Sequence, residues 1–165
     1  MAVLNVHERL LSARPEAVGE LIDTLAGADD RLWPVEQWPP MELDRGLTVG
    51  SSGGHGPVVR YTVVGYAPGQ WVRFAFREPR GFHGFHEFAV QPADDDRAVL
   101  RHTVAMRLRG SARLTWPLMI RWLHDAVLED CLDRAEHALT GSVVSPARRS
   151  AYVRFLRRLR ARSSS

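Results

Sequence analysis

Four consecutive segments rich in β-branched and aromatic residues, Val58 to Tyr66, Trp71 to Glu78, Gly84 to Gln91 and Ala98 to Leu108, are separated only by short runs of turn-forming residues. The connections are Ala67-Pro68-Gly69-Gln70, Pro79-Arg80-Gly81 and Pro92-Ala93-Asp94-Asp95-Asp96. Parallel pairing needs a crossover of about a dozen residues or more, so chain this tightly connected predicts an antiparallel meander. Directly after it comes a long helical stripe, about Arg113 to Leu139, with Trp116, Ile120, Leu123, Val127, Cys131 and Ala135 at helical spacing. Pro117 is tolerable only in the first turn, which places the helix start near Ser111 or Leu114, and Gly141 stops it.

Ahead of the meander, Val3 to Leu11 reads as a strand with imperfect alternation. Ser12 to Pro15 opens a helix whose stripe, Ala17, Val18, Leu21, Ile22 and Leu25, runs to about Leu25 before Gly27 ends it. The segment Asp29 to Pro40 (DDRLWPVEQWPP) is irregular and tucks two tryptophans onto the body; Met41 to Asp44 and Leu47 to Gly50 then read as short strands flanking Arg45-Gly46, and Ser51 to Gly56 (SSGGHG) as a flexible connection. The expected class is α+β: an antiparallel sheet followed by a long C-terminal helix over residues 1–140, then a linker and a basic helical tail over 141–165.

The 165 residues suit one core, and a chain of this length folds without disulfides or structural metal. Cys131 stands alone, which rules out an internal disulfide. No apolar run approaches a membrane span, and Asn5, His7, Glu8 and Arg9 interrupt the N-terminus where a signal peptide would be apolar, so a cytoplasmic location is expected. The net charge of +3 is unevenly placed: Arg148, Arg149, Arg154, Arg157, Arg158, Arg160 and Arg162 follow Pro146 without an acid, leaving a body of 15 arginines against 19 acids, a charge of −4. The high pI therefore describes the tail, and a specific nucleic-acid partner is not expected from it. All 22 basic residues are arginine, which excludes lysine Schiff-base chemistry.

The order of elements, together with Ser12-Ala13-Arg14-Pro15-Glu16-Ala17-Val18 opening the first helix and the run Tyr66-Ala67-Pro68-Gly69-Gln70-Trp71-Val72-Arg73-Phe74, resembles the helix-grip fold of the START-like superfamily, often called SRPBCC, over residues 1–140. That superfamily includes birch-pollen-allergen-like proteins and polyketide cyclases. The resemblance implies a curved antiparallel sheet wrapped around the long C-terminal helix, with an apolar cavity between them that takes lipids, sterols, polyketides or similar molecules, and catalysis in only some members.

Alternation assigns faces. In the last strand Leu100, His102, Val104, Met106 and Leu108 share one side and Arg101, Thr103, Arg107 and Arg109 the other; the first set must face inward, because unpaired buried arginines cost far more than a neutral imidazole. A loop symmetric about Asp94 sets His86 opposite His102, Phe88 opposite Leu100 and Glu87 opposite Arg101. A turn centred between Pro68 and Gly69 pairs Val63 with Phe74 and Tyr61 with Phe76. The expected ligand-binding set is Tyr61, Phe74, Phe76, His86, Phe88, His102, Val104 and Met106, roofed by Trp116, Ile120, Leu123 and Val127.

Two facing histidines admit several chemistries: a hydrogen-bonded neutral pair, groups that orient a ligand, or an acid and base. His86, His102 and Tyr61 are accordingly the candidate catalytic residues, with no reaction assigned. No inward carboxylate or third ligand accompanies the pair in the meander, so neither metal nor cofactor is assigned. His83 and His86, three apart on a strand, point to opposite faces. His55 in SSGGHG reads as loop or gate, Cys131 as packing, and Trp33 and Trp38 as core anchors. In the tail, Tyr152, Phe155, Leu156 and Leu159 form an apolar face among arginines; over 146–162 the open readings are self-docking, a contact in a homo-oligomer, an anionic membrane surface or non-specific contact with nucleic acid, or disorder. Three functions follow: binding of a hydrophobic or aromatic small molecule, a polyketide cyclase- or aromatase-like enzyme, and an interaction protein acting through the tail.

Overall fold

The computed structural model describes residues 1–56 and 58–163, with side chains through Arg157. Its seven strands are β1 (Ala2–Leu11), β2 (Met41–Leu43), β3 (Ser52–His55), β4 (Val59–Ala67), β5 (Trp71–Glu78), β6 (Phe82–Pro92) and β7 (Ala98–Leu108). They form one curved antiparallel sheet in the order β1-β7-β6-β5-β4-β3-β2. Helix α1 (Pro15–Asp23) follows β1, and the closing helix begins as α2 (Ala112–Thr115), widens into a π-helical turn (Trp116–Ile120) and continues as α3 (Arg121–Thr140). Pro117 explains the widening: it has no N–H to donate into the ladder, and one extra residue in the turn accommodates the missing bond. Gly141, in the left-handed region at φ 78°, donates to the His137 carbonyl and ends the helix.

The meander follows the reading from sequence, with two corrections. Helix α1 ends at Asp23, and Leu25, although buried, lies in the turn that follows it. Ser52–His55, expected as a flexible connection, is strand β3, whereas Leu47–Gly50 forms no strand and belongs to the turn held by Ser51 Oγ donating to Asp44 (2.7 Å). Gly53 and Gly54 are why that strand exists. A Cβ at Gly53 would lie 1.8 Å from the Glu42 carbonyl oxygen and one at Gly54 1.9 Å from that of Val59, so β2, β3 and β4 meet this closely only without side chains. Gly53→Val is therefore expected to cost about 3 kcal/mol by overpacking, read by chemical denaturation; wild-type stability would contradict this contact.

Register provides a third correction. Tyr61 pairs with Phe76 and Val63 with Phe74 as expected, before a bulge at Val64 shifts the remainder. In the other hairpin, however, Phe88 lies opposite His102, His86 opposite Val104 and Glu87 opposite Thr103. The loop centre is Asp95, because Ala93 N–H bonds to the Arg97 carbonyl (3.0 Å) while Asp94 accepts from Asp96 N–H (3.2 Å) and Arg97 (2.8 Å). A two-residue slip preserves faces, so every inward assignment survives. Glu87 instead takes Arg73 (2.7 Å), and Arg101 takes Glu8 on β1 (2.6 Å).

Strand β1 inverts the usual pattern. Leu4, Val6 and Leu10 face outward and are exposed, while Asn5, His7 and Arg9 point at α3. The facing helix explains this, since Asp125, Asp133 and Glu136 of α3 receive those polar groups together with Glu129. The tail helix α4 (Ala151–Ser163) lies against the body: Val153 and Leu156 are buried, Arg149 pairs with Asp130, Tyr152 Oη donates to the Leu118 carbonyl, and the Arg157 guanidinium sits 4.7 Å over the Trp38 ring. Tyr152 and Phe155 remain exposed, and the expectations for Arg158, Leu159, Arg160 and Arg162 lie outside the described side chains.

Candidate functional site

The inner face of β4–β7 and the underside of the closing helix bring the expected lining together around two imidazoles. His86 and His102 are buried, with His86 Nδ1 3.3 Å from His102 Nε2. The register slip makes this diagonal contact: the two residues are not directly opposite, yet diagonal neighbours on one face remain within reach of ring side chains. His86 stacks on Phe74 (4.8 Å, 18° between planes), meets Tyr61 edge-on (4.9 Å) and lies tilted against Phe76 (5.2 Å, 31°); His102 meets Phe88 edge-on (4.5 Å).

The lining divides into two apolar clusters bridged by these rings. Tyr61, Phe74 and Phe88 belong with Val127 and the base of α3, and half-buried Leu123 packs on them. Val104, Met106 and Trp116 form the second cluster with Phe82, and Phe76 and Ile120 pack on it half-buried. The chamber expected between sheet and helix is thus occupied by the side chains expected to line it. A groove of about 630 Å³ lies elsewhere, bordered by Pro15, Glu20, Asp23, Gly69, Trp71 and Val90, and a hollow of about 230 Å³ lies at Arg31, Arg134 and His137; neither reaches the imidazole pair.

Burial is the main cause of the pair's electrostatics. It pushes the pKa of both histidines well below the ordinary imidazole value, reinforced at His86 by His55 and His124 and at His102 by His124, His86, His7 and His55. Burial likewise raises Tyr61 above the ordinary phenol value, so its hydroxyl stays protonated. Two neutral imidazoles sharing one hydrogen bond leave one outer nitrogen with a proton and the other with a lone pair, whichever tautomers are present. Those outer atoms, His86 Nε2 and His102 Nδ1, are buried without a hydrogen-bond partner. The pair therefore leaves one donor and one acceptor unmatched in the interior.

Sequence reasoning missed three neighbours of the pair. His124 of α3 lies 5.2 Å from His102 and 5.6 Å from Trp116, ring to ring; its spacing of four from Ile120 and three from Val127 carried the signal. His55 lies 4.8 Å from the Trp33 ring, and its Nδ1 is 3.4 Å from Tyr61 Oη, a position fixed by β3 rather than by a gate loop. His7 faces a carboxylate at each nitrogen, Nδ1 toward Glu129 (2.8 Å) and Nε2 toward Asp125 (3.0 Å), and is the donor in these contacts; burial opposes its charge, but the two carboxylates outweigh burial and raise its pKa. Trp33 and Trp38 are structural anchors, donating to the Pro39 carbonyl (2.8 Å) and Asp130 (2.6 Å), and Cys131 is buried on the α3 stripe.

No protein-family model matches the sequence, and no curated protein matches it in sequence. Among solved structures, CalU16 from Micromonospora echinospora is similar with a TM-score of 0.59 at 12% identity, over 98% of this chain and 86% of that one. A truncated norcoclaurine synthase from Thalictrum flavum is similar with a TM-score of 0.62 at 14% identity, over 85% of this chain and 95% of that one. The same plant enzyme solved in complex with dopamine and hydroxybenzaldehyde gives a TM-score of 0.57 at 14% identity, over 80% and 87%. At such identities the likeness is one of architecture, and it agrees with the strand order, the single curved sheet and the gripped terminal helix: the chain has a helix-grip fold.

Proposed function

We propose that this protein binds an aromatic or otherwise apolar small molecule between the inner face of the sheet and the closing helix, with His86 and His102 as its polar anchor. The observation that carries this reading is the pair of orphaned nitrogens, His86 Nε2 and His102 Nδ1, set among aromatic rings. Buried polar atoms without partners cost free energy, and a guest that supplies both a donor and an acceptor recovers it. Apolar contact with Phe74, Phe76, Phe88, Val104, Met106, Trp116, Ile120 and Leu123 supplies most of the affinity. Because the rings fill the space in this structure, the guest enters by displacing the half-buried members, Phe76, Ile120 and Leu123, beside the π-helical turn. The related fold of norcoclaurine synthase, solved with an aromatic aldehyde and an aromatic amine, supports the ligand class.

The test uses prodan, a neutral naphthyl ketone whose carbonyl accepts from whichever outer nitrogen bears the proton and whose emission shifts to the blue in apolar surroundings; the paired ring holds that tautomer, so both histidines are tested. A saturable blue shift is expected, with His86→Gln and His102→Gln each weakening affinity by roughly 2- to 10-fold, the value of one net hydrogen bond. An unshifted spectrum at saturating protein would overturn the proposal.

A second reading has its own observation. In a neutral pair joined at 3.3 Å, uptake of a proton at one outer nitrogen, transfer across the bond and release from the other leaves the pair neutral with its tautomers exchanged. That is the requirement for moving a proton across a carbonyl compound, as in cyclisation or aromatisation of a polyketide, with Tyr61 positioning the carbonyl. Loss of turnover in His102→Gln at saturating ligand, beyond its loss of affinity, supports catalysis; unchanged turnover at saturation removes it.

A further inference from the structure

Outside the imidazole pair, three metal-ligating side chains converge where edge strand β1 meets α3. Strand β1 supplies His7, and α3 supplies the adjacent His124 and Asp125. One ligand atom from each, two imidazole nitrogens and a carboxylate oxygen, falls within 4.8 Å of the others. His7 Nε2 is 3.0 Å and His124 Nδ1 3.6 Å from the same atom, Asp125 Oδ1. Bond lengths of about 2.0 to 2.1 Å to a tetrahedral zinc place neighbouring ligands about 3.3 Å apart. The two measured edges bracket that spacing.

Two further observations separate this cluster from an ordinary surface ion pair. His124 Nδ1 is buried with no hydrogen-bond partner, since 3.6 Å to Asp125 is beyond hydrogen-bond length. That nitrogen faces the carboxylate and is left without a hydrogen bond by the protein's own network. In addition, the other nitrogen of His7 faces a second carboxylate, Glu129 Oε1, at 2.8 Å. A carboxylate behind a ligating histidine fixes the tautomer that turns the opposite nitrogen's lone pair toward a metal. Asn5 performs the corresponding task for the acid, donating from Nδ2 to Asp125 Oδ1 at 3.0 Å, and its own carbonyl oxygen is also buried without a partner. Arg121 approaches the remaining oxygen, Asp125 Oδ2, at 3.5 Å, so its charge lies away from the shared atom. The side chains of His7, His124 and Asp125 are 13%, 17% and 28% exposed, which leaves an aqueous path to the seam.

From this convergence we infer that His7, His124 and Asp125 form a binding site for a divalent transition metal of the zinc class, with Glu129 and Asn5 as positioning residues. Two imidazoles and one carboxylate suit zinc and cobalt better than calcium or magnesium, which prefer all-oxygen sites. Three protein ligands leave a coordination position open. The metal would also cross-link the exposed edge strand to the gripped helix, so the site carries a structural consequence that is independent of the interior pair.

The test uses tag-free full-length protein and Co²⁺ alone as probe. One equivalent is expected to bind with visible absorption of a four- or five-coordinate ion, and with a rise in Tm. Asp125→Asn, partly exposed and close in shape, is expected to retain the apoprotein's Tm and to lose affinity by at least about tenfold; Glu129→Gln loses roughly 10- to 100-fold or less, the range for an outer-shell partner. His124→Gln repeats the test at the idle nitrogen, and Asp133→Asn, two turns away, binds as wild type. Absence of the absorption band, or a band unchanged in both Asp125→Asn and His124→Gln, overturns the site.

Discussion

Phe74→Ala is expected to destabilise the protein by about 3–5 kcal/mol, the cost of removing a fully buried phenyl ring and leaving its space open. Phe74 is 0% exposed, is stacked on His86 and stands edge-on to Tyr61 at 5.0 Å, so truncation also removes the ring that holds His86 in the plane of its contact with His102. In a domain of this size the loss corresponds to a fall in Tm of roughly 6 to 20 °C. Leu4→Ala supplies the contrast: Leu4 is 73% exposed on the outer side of β1, and its truncation is expected to stay within about 0.5 kcal/mol. Equal Tm values for the two variants would contradict the core described here.

The second large effect is acid destabilisation. His86 and His102 titrate below the ordinary imidazole value in the folded protein because burial penalises their charged forms. Well above pH 6.5 both are neutral, folded or unfolded, and contribute nothing to pH dependence; as pH falls through about 6.5 the unfolded chain gains protons that the folded chain refuses, so stability falls as pH falls. With both groups refusing a proton the slope approaches about 3 kcal/mol per pH unit between about pH 6 and 5. His124, also lowered chiefly by burial, acts in the same direction, whereas His7, raised by Asp125 and Glu129, acts in the opposite one. His86→Gln/His102→Gln isolates the pair: its unfolding free energy, followed by urea titration, is expected to decline less steeply over that window than wild type. Parallel slopes would show that the two rings carry protons in the folded state.

Much of the architecture was legible because it rests on periodicity and turn chemistry. The alternation Leu100, His102, Val104, Met106 fixed which face of β7 is buried, and the spacing from Trp116 to Ala135 identified the gripped helix. Register was harder, since it depends on loop geometry. The three aspartates of the β6–β7 turn gave no reason to prefer Asp94 over Asp95 until side-chain capping by Asp94 was seen. Strand β3 was hidden because glycine is read locally as flexibility, whereas Gly53 and Gly54 answer to the close approach of β2 and β4, elements distant from any local pattern. The polar network of β1 was missed for a related reason. Apolar-inward alternation predicts Leu4, Val6 and Leu10 inside, and only the acids of α3, more than a hundred residues later, reverse it. The imidazole pair was identified, but not its third ring, His124, which belongs to a helix whose rotation relative to the sheet no single strand specifies.

The central claim is that the paired imidazoles form the polar anchor of an internal binding site. Its most direct measurement is a two-dimensional NMR experiment correlating imidazole nitrogens with ring protons, recorded while prodan is added. The account predicts shifts at the nitrogens of His86 and His102 that saturate together with the fluorescence change. Nitrogen resonances that stay fixed while backbone shifts gather at Asp23, Gly69 and Trp71 would place the guest in the outer groove and contradict it.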